Sequence, residues 1–136
     1  MRLWPLCIID QLPRQQLLGQ HRECCALRGR GWGRKHSTVD YVFAHSLKEL
    51  YEYHMFIMAE CIVRRGYKID SQWLHPSYRG KNCPRAEFPE LARWEFNKPG
   101  IYEEHNENYL DDCIENLARK GISIDKNRAI LRANAA

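Results

Sequence analysis

Apolar residues recur at helical spacing in three stretches of the chain, and no stretch alternates for long with the period of two that strands require. The first stretch predicts a helix over residues 10–27, with Asp10 as its N-cap and Pro13 in its first turn, where a missing N–H has no partner. The last stretch predicts a helix over residues 102–120 that stops at Gly121. The pattern therefore predicts an all-α fold.

The middle stretch gives the clearest signal. Ser46 and Glu49 form the capping-box pattern that starts a helix, and Gly66, directly after two arginines, predicts where that helix stops. A short last helix is expected after Asp125. No low-complexity linker divides the sequence, so residues 1–136 are predicted to form a single compact domain of three main helices, shorter helices and basic loops.

Charge is distributed unevenly along the chain, although the net charge of +4 is modest. Between Arg14 and Lys35 the cations outnumber a single acid, Glu23, whereas acids accumulate around Asp111. Such polarity fits a protein that presents one basic face to DNA, and two differently solvated faces would give the same pattern. No apolar run approaches the roughly 18 residues that a membrane span needs, so we expect no membrane partner.

The six cysteines and six histidines raise the question of a metal site. His21 has a suitable helical spacing from Cys24 and Cys25, but no C-x-x-C pair is present and no second compact pair completes a tetrahedral set. We therefore predict no metal site, with His54 and His105 as interior helix residues. The first residues lack the pattern of a signal peptide, so the cysteines are expected to act as small hydrophobic residues in a reducing cytoplasm.

Glu23 is the first candidate for chemistry. It follows Arg22 in the middle of the first predicted helix and is the one acid among the cations there. A carboxylate in such surroundings can stabilise a developing cation or remove a proton. The alternative is an acid on a solvated helix face that makes an ordinary ion pair of little energetic worth. The residues alone leave both interpretations open.

Two loops combine glycines with cations. Residues 28–36 alternate glycines with arginines and Trp32, where glycine lets a backbone approach a ligand, cations suit phosphates and tryptophan can stack on or wedge between bases. The alternative is a flexible surface loop with Trp32 packed on the core. Residues 78–84 form a second, shorter basic loop. The candidate DNA-binding residues are Arg22, Arg28, Arg30, Trp32, Arg34, Lys35, Arg79 and Lys81.

Residues 17–23, LLGQHRE, resemble the active-site helix of the phage endonuclease V family of pyrimidine-dimer DNA glycosylases. Residues 34–36 resemble the basic triplet that follows that helix, and residues 59–69 resemble the end of the family's long second helix. Residues 78–84 resemble its next loop. The resemblance covers residues 1–84 in order, and residues 85–136 form a divergent extension.

The resemblance implies a helical enzyme that acts on double-stranded DNA with damaged bases. Such an enzyme combines an N-glycosylase with an abasic-site lyase, and it acts on pyrimidine dimers. Its nucleophile is the α-amino group of the first residue, which attacks the sugar C1′ and forms an imine. Glu23 matches the catalytic glutamate, and Arg22 matches an arginine that grips phosphate. The reaction needs no metal or organic cofactor, and we expect a monomer.

One departure from the family concerns the amine itself. The family exposes its nucleophile by removing the initiator methionine before a small residue, whereas residue 2 here is Arg2, whose bulk should block removal. Met1 would then carry the amine, about 3.3–3.6 Å further along an extended chain. A displacement of about 1 Å can already cost ~100-fold in rate. Either the first turn compensates, or the lyase activity is altered or absent.

Two other functional classes remain open on the sequence. The chain could be a non-catalytic helical DNA-binding module that keeps the basic face, with salt-dependent affinity and no strand scission. It could also be a protein-interaction domain that uses the acidic helix around Asp111 and has no affinity for DNA.

Overall fold

The computed structural model describes residues 2–33, 39–86 and 101–135, and within these ranges every regular element is a helix. The all-α prediction is confirmed. In chain order the elements are a 3-10 helix at Leu6–Gln11, α1 at Arg14–Arg28, α2 at Asp40–Ala44, α3 at Leu47–Ala59 with a π-helical continuation at Glu60–Arg64, a 3-10 turn at Ser71–Leu74, α4 at Glu107–Arg119 and α5 at Lys126–Ala133. The sequence pattern does not predict α2, whose five residues are too few to show a helical period.

The predicted start of α3, the predicted stop after its π-helical continuation and the predicted start of α5 are confirmed. Ser46 caps α3, since its hydroxyl accepts the Glu49 N–H at 3.3 Å, and Asp125 caps α5 by accepting the Arg128 N–H at 3.2 Å. Gly66 follows the π-helical turn with a φ of +65°, in the left-handed region that favours glycine. Local side-chain and backbone chemistry therefore sets these ends.

The predicted start of the first helix is wrong. Asp10 does not cap α1, because Leu6–Gln11 winds into a 3-10 helix and α1 begins only at Arg14, after Pro13. Leu12 is extended with a ψ of 134°, the conformation that a following proline favours. The proline therefore separates two helices where the apolar spacing alone indicates one.

The predicted start of the last long helix is also wrong. Helix α4 starts at Glu107, because Asn106 caps it by accepting the Tyr109 N–H at 3.0 Å. Tyr102, which the period places in the first turn, precedes the helix and is buried in the core. Gly121 follows α4 with a φ of +80°, as predicted for a helix stop.

The core lies between α1, α3 and the N-terminal segment, residues 2–9, in which every residue from Leu3 to Ile9 is buried. Four cysteines are buried with it, and all six are free thiols: Cys7, Cys24, Cys61 and Cys113 are the buried ones. Most of the cysteines thus pack as small apolar residues. In the part of the chain that the structure describes, each helix is too short or too polar to cross a membrane.

Helix α5 is fastened to the 3-10 helix by polar contacts. The Gln11 amide pairs with the backbone of Asp125 in both directions, donating to its carbonyl at 3.1 Å and accepting its N–H at 2.7 Å. The buried carboxylate of Asp10 lies 2.9 Å from Arg128 and 2.8 Å from Arg132 of α5. These contacts hold α5 against the 3-10 helix.

Candidate active site

A cleft of about 510 Å³ opens between the N-terminal segment, the first half of α1 and the end of α4. Three cations and four side-chain amides face it, and no carboxylate of the described residues does. The residues that line this basic cleft are Arg2, Trp4, Gln15, Gln16, Gly19, Gln20, Arg22, Asn116 and Lys120. Cations and amide donors without opposing acids make a site that attracts anions.

The N-terminal segment is tied to the wall of the basic cleft. The Trp4 N–H donates to Gln20 Oε1 of α1 at 2.7 Å, inside the protein. Arg2 is half-buried in the cleft, and its guanidinium carbon lies 5.9 Å from the centre of the Tyr109 ring of α4. The predicted nucleophile Met1 lies outside the described residues. The described part of the segment therefore leads into the cleft.

Glu23 lies one helical turn along α1 from Gly19 and Gln20 of the basic cleft. It is only 8% exposed, and its Oε1 is buried without a hydrogen bond from the described part of the chain. The interpretation of Glu23 as an acid on a solvated helix face is therefore wrong. A buried carboxylate oxygen without a partner costs free energy, so the position favours a role in which a bound group supplies the partner.

The structure places Arg28, a candidate DNA contact, in the interior. It is 1% exposed. Four of its five N–H groups donate hydrogen bonds, to Trp73 O at 2.9 Å, His54 Nδ1 at 2.8 Å, His75 O at 3.1 Å and Tyr78 O at 2.6 Å. The centres of the Tyr51 and Trp73 rings lie 4.1 and 5.1 Å from its guanidinium carbon. Arg28 therefore joins residues 73–78 to α1 and α3, and a phosphate cannot reach it in this arrangement.

The other candidate DNA contacts do not form one cluster. Arg22 is exposed in the basic cleft, whereas Arg30 and Lys81 are exposed on the two basic loops and do not line it. Arg34 and Lys35 lie outside the described residues. Of the predicted set, the structure thus places Arg22 in the cleft itself.

Two glycines of the first basic loop, Gly29 and Gly31, serve the chain's own packing. A Cβ on Gly29 would lie 2.9 Å from the Arg79 carbonyl oxygen, and one on Gly31 would lie 2.6 Å from a carbonyl oxygen of α1. Arg79 in turn donates to the carbonyls that end α1, at 2.8 Å to the nearer one. Trp32 packs edge-on against Phe43, with ring centres 5.4 Å apart. This supports the alternative in which the loop packs on the protein.

A chain of hydrogen bonds runs from Arg28 through His54 and His21 to Cys25. Because a guanidinium only donates, His54 Nδ1 accepts, and its proton resides on Nε2, which donates to His21 Nδ1 at 2.8 Å. The His21 proton is then on Nε2, 3.7 Å from Cys25 Sγ. His21, Cys25 and His54 bring ligand atoms within 4.8 Å of one another. They do not suit a metal, because a ligating histidine needs an acceptor behind its second nitrogen and Arg28 supplies a donor.

Acid is expected to destabilise the fold through its buried histidines. Burial holds the pKa of His54 well below its ordinary value of 6.5 and lowers that of His105 to about 4. Below pH 6.5 both rings gain a proton in the unfolded chain before they do so in the folded protein. Their contribution to the free energy of unfolding is therefore complete above pH 6.5 and is lost as the pH falls. The free energy of unfolding should drop by about 3 kcal/mol from His105 alone between pH 7 and pH 4. Urea unfolding across that range measures it.

A matched pair of variants isolates this effect. His105→Gln should flatten the decline, whereas His75→Gln, at an exposed histidine, should leave it unchanged. His45 acts in the opposite sense, because its 2.6 Å hydrogen bond to Glu104 raises the pKa of its ring. A stability that is constant from pH 7 to pH 4 in both variants would contradict the assignment.

Asn116 and Lys120 enter the basic cleft although no motif marks them. Lys120 follows α4 and precedes Gly121, where a cation is explained by the helix dipole and by the stop signal alone. Sequence spacing therefore gives no reason to associate it with Arg22. Only the folded structure brings the two cations to one cleft.

Comparison with known proteins adds one match. A family model described as pyrimidine dimer DNA glycosylase matches residues 1–75, slightly more than half of the chain. The matched range contains the N-terminal segment, α1, α2 and α3, whereas α4 and α5, with Asn116 and Lys120, lie outside it. The chain matches no curated protein and no solved structure.

Proposed function

Since the chain belongs to the pyrimidine dimer DNA glycosylase family, we propose that it removes damaged bases from double-stranded DNA and cleaves the resulting abasic site as a lyase. The observation that carries this proposal is the basic cleft, which is lined by cations, amides and the N-terminal segment and whose Gly19 and Gln20 lie one helical turn from the buried Glu23. A cleft of this charge suits the phosphates on either side of a damaged nucleotide.

In the proposed reaction the α-amine at the head of the chain is the nucleophile. An α-amine has a pKa near 8 against about 10.4 for lysine, so more of it is the free base at neutral pH. Its nitrogen bonds to the sugar C1′ as the bond from C1′ to the damaged base breaks, and opening of the sugar ring gives an imine. Met1 supplies the amine if the initiator is kept, and Arg2 supplies it if the initiator is removed.

Glu23 is proposed to act on the charge and the protons of this reaction. Its carboxylate stabilises the positive charge that develops on the sugar and the imine. It then assists removal of a proton from C2′, so that β-elimination breaks the bond between C3′ and the phosphate oxygen. The buried Oε1, without a partner among the described residues, is the atom that supports this role. No proposed step requires a metal or organic cofactor.

The cations of the cleft are proposed to hold DNA. Arg22 and Lys120 face the cleft from α1 and from the end of α4, and Arg2 faces it from the N-terminal segment. Together they neutralise phosphates on both sides of the reacting sugar, whereas Arg30 and Lys81 add positive charge outside the cleft. Pyrimidine dimers are the lesion that the family implies, and we propose them as the substrate.

Borohydride trapping tests the proposal. The protein is incubated with ultraviolet-irradiated duplex DNA and with abasic duplex DNA, and borohydride reduces any imine to a stable amine. We expect an adduct with both substrates, and peptide mapping should place it on the first residue of the mature chain. Intact-mass analysis of the same sample identifies that residue. An adduct on an internal lysine would contradict the mechanism.

The second residue, Arg2, favours one alternative, because it departs from the small residue that follows the initiator in the family. In that alternative the chain is a non-catalytic DNA-binding module. Folded protein that binds both duplexes, loses affinity on Lys120→Ala and at high salt, and yields no adduct would support the module over the enzyme.

A further inference from the structure

Side chains from other elements hold the N-terminal segment in place by hydrogen bonds to its backbone. Leu3 is 0% and Trp4 is 7% exposed, and two tyrosine hydroxyls from distant elements reach their carbonyl groups. Tyr109 of α4 donates to the Leu3 carbonyl at 2.8 Å, and Tyr53 of α3 donates to the Trp4 carbonyl. With the Gln20 contact to the Trp4 N–H, three consecutive polar groups of the backbone are bound by side chains. Such contacts depend on chain register and not on side-chain identity.

The Tyr109 hydroxyl is itself oriented. It donates its one proton to Leu3, so toward Tyr41, whose hydroxyl lies 3.3 Å away, it can only accept. The Tyr41 hydroxyl also lies 2.7 Å from His105 Nε2, and the direction of that hydrogen bond depends on the His105 tautomer. The His105 ring also stacks on the Tyr109 ring, with centres 4.7 Å apart and an interplanar angle of 2°. The stacked His105 ring and the Tyr41 contact therefore hold the Tyr109 side chain where its hydroxyl reaches the Leu3 carbonyl.

We propose that Tyr109, supported by Tyr53, is a positioning residue that sets the place of the reacting amine by fixing the backbone of Leu3 and Trp4. The inference rests on the proposed function, in which the amine at the head of the chain attacks the sugar. Because the grip is on backbone atoms, the number of residues before Leu3 decides how far the amine reaches. Tyr109 lies beyond the matched range of residues 1–75, so a helix that the family model does not cover would position the amine.

The first experiment measures imine trapping on abasic duplex DNA in single turnovers at saturating DNA. Tyr109→Phe should lower the trapping rate ~10-fold, because a displaced nucleophile loses rate steeply, while the Kd for DNA stays within about twofold. Tyr102→Phe is the matched control, since its buried hydroxyl has no hydrogen-bond partner among the residues that the structure describes and its loss should leave both quantities unchanged. Equal trapping rates for the two variants would overturn the proposal.

Lengthening the chain by one residue before Leu3 gives a second test, whose result a general loss of stability would not change. Protein with one additional glycine before Met1, verified by intact mass, should trap ~100-fold more slowly in the Tyr102→Phe background. The same extension should cost less in the Tyr109→Phe background, because a released segment can readjust. An identical cost in both backgrounds would show that Tyr109 does not set the register.

Amide hydrogen exchange separates this inference from the proposed function. Tyr109→Phe should speed exchange at the Leu3 and Trp4 amides relative to Tyr102→Phe, whether or not the protein reacts with DNA. If the wild-type protein forms no adduct but exchange is faster in Tyr109→Phe, the enzymatic function is refuted while the role of Tyr109 in fixing the backbone is supported. Unchanged exchange at the Leu3 and Trp4 amides would overturn the proposed role of Tyr109 even if the wild-type protein forms the adduct.

Discussion

Replacing Glu23 by glutamine should reduce borohydride trapping on abasic DNA by at least about 100-fold while DNA binding is retained. Glutamine has nearly the same shape but cannot carry the negative charge or accept the C2′ proton, and loss of one electrostatic group of this kind typically costs 10²–10³ in rate. Affinity should hold or rise, because the substitution removes a negative charge one helical turn from Gly19 and Gln20 of the cationic cleft. Single-turnover trapping and a binding titration on the same protein separate the two effects.

Glu115→Gln is the control for charge alone. Glu115 precedes the cleft residue Asn116 on α4, and it is exposed and paired with Arg119 at 2.7 Å. Its removal should change neither rate nor affinity by more than about twofold, because exposed pairs contribute little. Trapping by Glu23→Gln at the wild-type rate would mean that the carboxylate plays no part in the chemistry.

The Arg28→Met variant should be less stable by about 3–5 kcal/mol, with unfolding midpoints that shift accordingly in urea. Methionine fills similar space but donates nothing, so the carbonyls of Trp73, His75 and Tyr78 and the ring nitrogen of His54 lose their shared donor inside the protein. Each buried acceptor left unpaired costs about 1–3 kcal/mol.

Arg30→Met, two residues away and exposed, should alter stability by no more than about 0.5 kcal/mol. The pair therefore distinguishes a structural arginine from a surface one. If Arg28→Met keeps wild-type stability but loses affinity for DNA, Arg28 is the phosphate contact that the sequence suggested and the buried arrangement is wrong.

The elements that could be predicted from the sequence are those whose ends depend on local chemistry. Ser46, Gly66 and Asp125 act within one turn of their own position, so a capping or stop pattern is enough to place them. The errors occurred where a local feature overrode the apolar period. Pro13 split the first predicted helix, and Asn106 delayed the start of α4.

Only the α1 side of the basic cleft could be predicted from the sequence. Arg22 and Glu23 are adjacent on α1 and carry a resemblance, so they could be chosen from the sequence. Lys120 could not, because its place beside α1 depends on contacts between parts of the chain that no short pattern connects. Arg28 is the opposite case, a residue that the sequence suggested as a DNA contact but that the structure buries. A cation in a basic segment is expected at the surface, and only the packing of residues 73–78 reveals that Arg28 is buried.

The two walls of the basic cleft are made far apart in time as well as in sequence. A ribosome that adds roughly 5–20 residues per second completes Arg22 several seconds before Lys120, which is about 100 residues later in the chain. During that interval the nascent protein carries the proposed amine and Glu23 but lacks the α4 wall and Tyr109. The proposed reaction therefore has to wait for synthesis of α4, so a translation product that is stalled or truncated before α4 would carry the proposed reactive groups without the geometry to use them on DNA.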